Sequence, residues 1–234
     1  MPTSATPLHA VREALTGFID YAGLFPPAQL ALNAAISEYI AARNGPYSWM
    51  LGRFIGPLGV ILRNRRTLSS VEGRLPLSVI VDGKLSDLLE LKIESLEIAL
   101  TLDAIAKFAE EAARAGLSNL PIFVELPRGL NGDELRAGFE MLMTFHFGAK
   151  IRCGGLTADA MPSSESVADF IQTAVENDAP FKATAGLHHP IRAYNKQSGF
   201  TMHGFLNLLA AVALAHAGAT RDDLLAVLND EDPS

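Results

Sequence analysis

The feature that most constrains this chain is the alternation of short apolar runs with longer stretches of helical periodicity. Seven runs read as strands: "GFID" (17–20), "GRFIG" (52–56), "PLSVIVDG" (76–83), "SLEIAL" (95–100), "PIFVELP" (121–127), "AKIRCG" (149–154) and "PFKATAG" (180–186). Each is rich in Val, Ile, Leu or Phe and is bounded by Gly, Pro or a charge, as expected of a strand that stops at a turn. Between them the spacing predicts helices over 28–43, 102–116, 131–145, 164–177, 203–218 and 220–230. Asn131 and Glu134 stand at capping-box spacing, Thr220 is an N-cap with Asp223 at the third helical position, and Gly116 and Gly218 close their helices.

Strand–helix repeats joined by right-handed crossovers make a parallel sheet. In an open, doubly wound sheet both faces are covered, so the strands read as nearly continuous apolar runs. Here Lys150, Arg152, Lys182 and Thr184 interrupt the runs at alternate positions, and side chains two apart on a strand share a face. A barrel holds a few polar side chains near its mouth. The expected fold is therefore α/β, a TIM-barrel-like (β/α) barrel, incomplete with about seven parallel strands, in a single domain over 1–234. An eighth strand is either missing or hidden in 55–62 or 190–202.

In a parallel barrel the reactive groups sit at the carboxyl ends of the strands and in the loops that follow. Those ends carry Asp20, Arg53, Asp82, Glu97, Glu125, Lys150, Arg152, Lys182, Thr184, His188 and His189. If Lys150 and Arg152 point inward beside Lys182, three cations converge, and buried cations require an anion. Either Glu125 or Glu97 supplies it, or a small anionic substrate does. Crowded ammonium groups also lower one another's pKa, and a free amine attacks carbonyl carbon.

The expected roles follow. Lys150 is the nucleophile or electrostatic anchor, Lys182 tunes it, and Glu125 is a catalytic carboxylate. Arg152, Thr184, Asp20, Arg53 and His203 bind substrate, and His188 or His189 moves protons. This reading calls for no cofactor. The plainer reading makes Lys150–Glu125 a structural pair, with Arg152 capping a carbonyl at the rim.

The metal spacing of two histidines at i and i+4 is absent. A metal-dependent hydrolase or isomerase would need His188 or His189 with His203, Asp20 or Glu125, and this is the second functional reading. A non-catalytic ligand-binding barrel is the third. "RCGGL" (152–156) and "RNRRT" (63–67) read as turns, either of which could flank an anion, and Cys153 reads as packed between strand and helix. "FIDYAGLFPPA" (18–28) reads as a strand end whose prolines stiffen the approach to a helix starting at 28.

Bulk properties narrow the partners. The formal net charge of -7 sets aside a protein that grips nucleic acid broadly, although a local basic pocket can still hold an anion. One cysteine allows no internal disulfide, which fits a reducing cytoplasm. The start of the chain lacks the pattern of a secretory signal, and "FLNLLAAVALAHAGA" is too short to span a bilayer and is broken by Asn207 and His216. The expectation is a soluble cytoplasmic protein with no membrane partner. "SWMLGRFIGPLGVIL" (48–62) is either core or a homodimer interface.

The phrases "DYAGLFPPA", "KIRCGG" and "PFKATAGLHHPIR … GFTMHGFLN" together resemble a family of uncharacterised bacterial proteins. "KIRCG" followed one unit later by "KATAG" is also similar to the paired lysine strands of the deoxyribose-phosphate aldolase family, where the pattern is Lys-Thr-Ser-Thr-Gly and then Lys-Ala-Ser-Gly-Gly. That resemblance implies a Schiff base on Lys150, with Lys182 lowering its pKa. Arg152 and Cys153 stand where that family has small hydroxyl residues, and His188 and His189 have no counterpart in it.

Overall fold

The structure, a computed structural model, describes residues 7–71, 73–88, 91–155, 157–196 and 198–232, with side chains from residue 9 onward. The first six residues of the N-terminal stretch, and Leu156 at the end of "RCGGL", lie outside the described residues. The chain is α/β, with seven parallel strands in chain order, the strand succession of an incomplete (β/α) barrel. Among the described residues no helix is long and apolar enough to cross a membrane.

Two compact units can be described, one of Met1–Ile98 with Ala112–Pro121 and one of Ala99–Glu111 with Ile122–Ser234. The first carries α1 (Pro7–Leu15), β1 (Ile19–Tyr21), α2 (Leu32–Arg43), β2 (Leu51–Pro57), α3 (Leu58–Arg63), α4 (Arg65–Ser69), β3 (Leu77–Ile80) and nearly all of β4 (Ser95–Ala99). Its strand pairs are parallel, with Tyr21 and Leu77 each in register with Phe54, and Ile80 in register with Glu97. One face of these strands is apolar. Tyr21, Tyr39 and Phe54 pack ring against ring at 5.6–5.7 Å, and the Tyr39 hydroxyl donates to Gly52 O at 2.7 Å. On alternate positions Ser78, Ser95 and Glu97 are buried instead, and Ser95 Oγ donates to Ser78 Oγ, which donates to Glu97 Oε1, each at 2.9 Å.

α5 (Ile105–Arg114) begins in the second unit, which continues with β5 (Ile122–Glu125), α6 (Gly132–Thr144), β6 (Gly148–Arg152), α7 (Ser164–Glu176), β7 (Phe181–Thr184), β8 (Ala193–Asn195), β9 (Phe200–Met202), α8 (Phe205–His216) and α9 (Arg221–Leu228). Strands β5, β6 and β7 pair in parallel, and the core lies on one side of them. Cys153, Val167, Ala168, Ile171, Leu208, Ala211, Leu224 and Leu228 are buried together, with Ile151, Phe181 and Ala183 against them. Burial of each large side chain here contributes about 1.5–3 kcal/mol. This is where Cys153 was expected, and burial pushes its thiol up to about 12.

The predicted punctuation forms. Asn131 accepts from Asp133 N and Glu134 N while Glu134 returns the bond to Asn131 N, and Thr220 and Asp223 close the same reciprocal box. Gly116 and Gly218 take positive φ just past their helices, at 70° and 79°.

Three expectations need correction. α2 begins at Leu32 rather than at 28, because 25–30 is taken up by turns in which Gln29 N donates to Phe25 O and Leu30 N to Gly23 O. "RNRRT" is not a turn: Arg63 ends α3 and Arg65 opens α4, with Arg65 Nη2 donating to Asp87 O at 3.2 Å. The two stretches held open for an eighth strand form something else. Residues 55–62 finish β2 and enter α3, and 190–202 contain β8 and β9, an antiparallel hairpin.

Candidate functional site

Strand register builds the site. Glu125 pairs with Lys150 and Lys150 with Lys182, so the three side chains stand in one row across β5, β6 and β7. Arg152 is in register with Thr184, one step nearer the carboxyl ends of the strands. Side chains on alternate positions face the same way, so Phe123, Glu125, Gly148, Lys150, Arg152, Lys182 and Thr184 share the face opposite the apolar core. The sequence encodes this with strict alternation: Ala149, Ile151, Cys153, Phe181 and Ala183 go to the helices, and the charged partners between them go to the other side.

Lys150 is only 7% exposed, and its Nζ lies 3.2 Å from Glu125 Oε2. A buried ammonium requires such a carboxylate, since desolvating an unpaired charge costs several kcal/mol. Lys182 is half-buried, and its Nζ lies 5.4 Å from the centroid of the Phe123 ring. Arg152 is exposed at the end of β6 and forms no ion pair with any described residue. Thr184 Oγ1 makes a long bond, 3.4 Å, to Ile151 O.

The carboxyl ends of β6 and β7 meet through glycine. A Cβ on Gly154 would lie 2.7 Å from Gly186 N, and one on Gly186 would lie 2.6 Å from Cys153 O. Ala185 and Gly186 both adopt left-handed φ, 61° and 70°, which turns the chain out of β7. Gly154 of "RCGGL" thus serves a close backbone approach, and a Cβ on Gly155 would meet the Ala160 side chain of the 3-10 turn that begins at Ala158.

After that turn come the histidines. His188 is exposed, yet partial desolvation, together with the adjacent His189, holds its imidazole below the usual histidine range. His189 orders the loop through its backbone: it bridges to Gly204, and its carbonyl accepts from Phe205 N at 3.0 Å. The β8–β9 hairpin is thereby closed at its base. His203 is 2% exposed, and its Nε2 lies 2.9 Å from Pro162 O. A carbonyl can only accept, so Nε2 carries the proton and Nδ1 keeps its lone pair. Nδ1 is buried with no hydrogen-bond partner among the described residues. Burial holds this imidazole below the usual range, against the pull of the Pro162 carbonyl.

Asp20 and Arg53 belong to the first unit. Asp20 Oδ1 accepts from Arg53 N at 2.6 Å, and Arg53 Nε lies 3.4 Å from Glu94 Oε2. Asp82 caps α3 through Gly59 N at 2.9 Å. Glu97 is buried among serines. The site row itself is Glu125, Lys150 and Lys182, with Arg152 and Thr184 above it.

Among the described residues no group of three or more His, Cys, Asp and Glu side chains is placed to hold a metal ion. Sequence reasoning passed over Phe123 and Gly148, which line the same face. Period-two alternation running back from Glu125 and Lys150 could have found them. No protein-family model matches the chain, and comparison with the curated proteins finds no match.

Proposed function

We propose that this chain is a lysine-assisted enzyme of the aldolase or lyase type, acting on a small carbonyl compound that carries a carboxylate or phosphate. The observation that carries this reading is the row of Lys150, Glu125 and Lys182: a buried amine, a carboxylate at 3.2 Å and a second cation in register. Structural pairing within the row gives no reason to place an exposed arginine at the end of the strand that carries Lys150.

The chemistry balances with the groups present. Glu125 takes a proton from the Lys150 ammonium, and the free amine attacks the carbonyl carbon, forming the C–N bond. The former carbonyl oxygen takes a proton from the nitrogen. The Glu125 acid then protonates the resulting hydroxyl, which leaves as water, and Lys150 is left as an iminium. The iminium then draws the electron pair of an adjacent C–C bond into an enamine while a base takes the proton of the β-hydroxyl, so that the other fragment leaves as a carbonyl compound. Protonation of the enamine and hydrolysis of the iminium by water release the product and the Lys150 amine. Arg152 and Lys182 hold the anionic group, Arg152 through its planar fork. His188 and His189, on the loop that follows β7, carry protons to and from the substrate.

The test is consumption of substrate across a panel of 2-keto acids and phosphorylated sugars by wild type, Lys150→Met and Arg152→Ala. Lys150→Met should abolish turnover at least 10³-fold, on the order expected when a covalent step is removed. Arg152→Ala should raise KM for anionic substrates by about tenfold or more. Turnover that survives in Lys150→Met would contradict the reading.

A further inference from the structure

We infer that Phe123 is a positioning residue for Lys182, and that Gly148 is glycine so that Phe123 can take that position. The inference rests on the lysine-assisted reading for its functional meaning, and on local geometry for its existence. Phe123 is in register with Gly148, and both lie on the charged face of the sheet. A Cβ on Gly148 would stand 2.6 Å from Phe123 Cδ1, 2.7 Å from Phe123 Cε1 and 2.9 Å from Pro180 O. The ring therefore lies over bare backbone on β6 and reaches toward β7, where Lys182 Nζ lies 5.4 Å from its centroid.

A ring face attracts a cation through its quadrupole, most strongly where water is partly excluded. Lys182 is half-buried, and four flexible bonds separate its amine from the backbone. The ring gives that amine a contact from across the sheet, on β5. With it, the charge is held along the face that carries Lys150, one step from the residue it pairs with in register. Phe123 thus sets where the second cation stands when an anionic substrate arrives, and Gly148 sets where Phe123 stands.

Trace acetylation by acetic anhydride at pH 8, read by mass spectrometry of peptides, tests this without any substrate. The reagent must reach the amine, and the ring face covers one side of it. Phe123→Leu should therefore speed labelling of Lys182 about three- to tenfold, the scale of a partly desolvated cation–ring contact. Gly148→Ala, which displaces the ring, should act in the same direction, and Phe123→Tyr, which keeps a ring face, should label like wild type. Labelling of Lys150 in the same samples is the control. An increase confined to Lys182 supports the inference. No increase, or an equal increase at Lys150 from general loosening of the sheet, overturns it. Neither result bears on whether Lys150 forms an adduct with a carbonyl compound, so the two claims fail separately.

Discussion

Asn207 holds the amide of Arg192: its Oδ1 accepts from Arg192 N at 2.8 Å. The other end of the same side chain donates to Val227 O at 2.7 Å and Asp230 O at 3.0 Å, so one buried amide ties the loop after β7 to the carboxyl end of α9. With the His189–Gly204 bridge, it fixes both legs of the β8–β9 hairpin, which follows the strand that carries Lys182 and Thr184.

Asn207→Ala should cost about 3 kcal/mol, since three buried hydrogen bonds contribute about 1 kcal/mol each and leave unsatisfied partners behind. Asn207→Asp should be comparably damaging, because a carboxylate cannot donate to two carbonyls. Urea unfolding of the two variants checks both values.

Neighbouring positions at the end of β7 should respond in opposite directions. Ala185 has φ 61°, a left-handed conformation that costs a side-chain residue about 1–2 kcal/mol, so Ala185→Gly should leave stability unchanged or raise it by up to ~1 kcal/mol. Gly186→Ala should lose about 3 kcal/mol or more, because its Cβ would meet the Cys153 carbonyl and Gly154 Cα, which are backbone atoms that cannot turn aside. Gly154→Ala should behave like Gly186→Ala. Thermal unfolding of the three variants distinguishes relief from clash.

Acid should destabilise the second unit through His203. Its folded pKa lies below the ordinary value of 6.5 because of burial, so the unfolded chain takes up the proton first as pH falls. The stability linked to this group is fully present above pH 6.5 and is lost as pH falls from there through the folded pKa. Arg192 adds to the effect, since a second cation nearby disfavours protonation. Urea midpoints between pH 8 and 5 should fall for wild type, and the slope should be shallower in His203→Gln.

Much of the fold was legible because burial on one face leaves a period-two signature. All seven predicted runs are strands, and the polar positions that favoured a barrel over an open sheet do lie on the face away from the helices. Lys150, Lys182 and Glu125 were found because charges inside an apolar run need a reason. What escaped has a different physical origin. α1, α3 and α4 are short, from 5 to 9 residues, and their form depends on contacts such as Arg12 over the Trp49 ring at 5.1 Å, which no local pattern encodes. Gly148 was silent because a glycine in a strand reads as weakness until the ring that fills its place is known. His203 could be named as a candidate. The pairing of Nε2 with Pro162, which settles its tautomer, joins residues 41 positions apart.

The central claim is that Lys150 is the residue that bonds covalently to a carbonyl substrate. It is tested most directly by adding borohydride to the protein in the presence of 2-keto acids or sugar phosphates and mapping the reduced adduct by peptide mass spectrometry. The account predicts an irreversible mass gain on the peptide that contains Lys150, diminished in Glu125→Gln and absent in Lys150→Arg. An adduct on Lys182 alone, or no adduct with any compound of the panel, would contradict it.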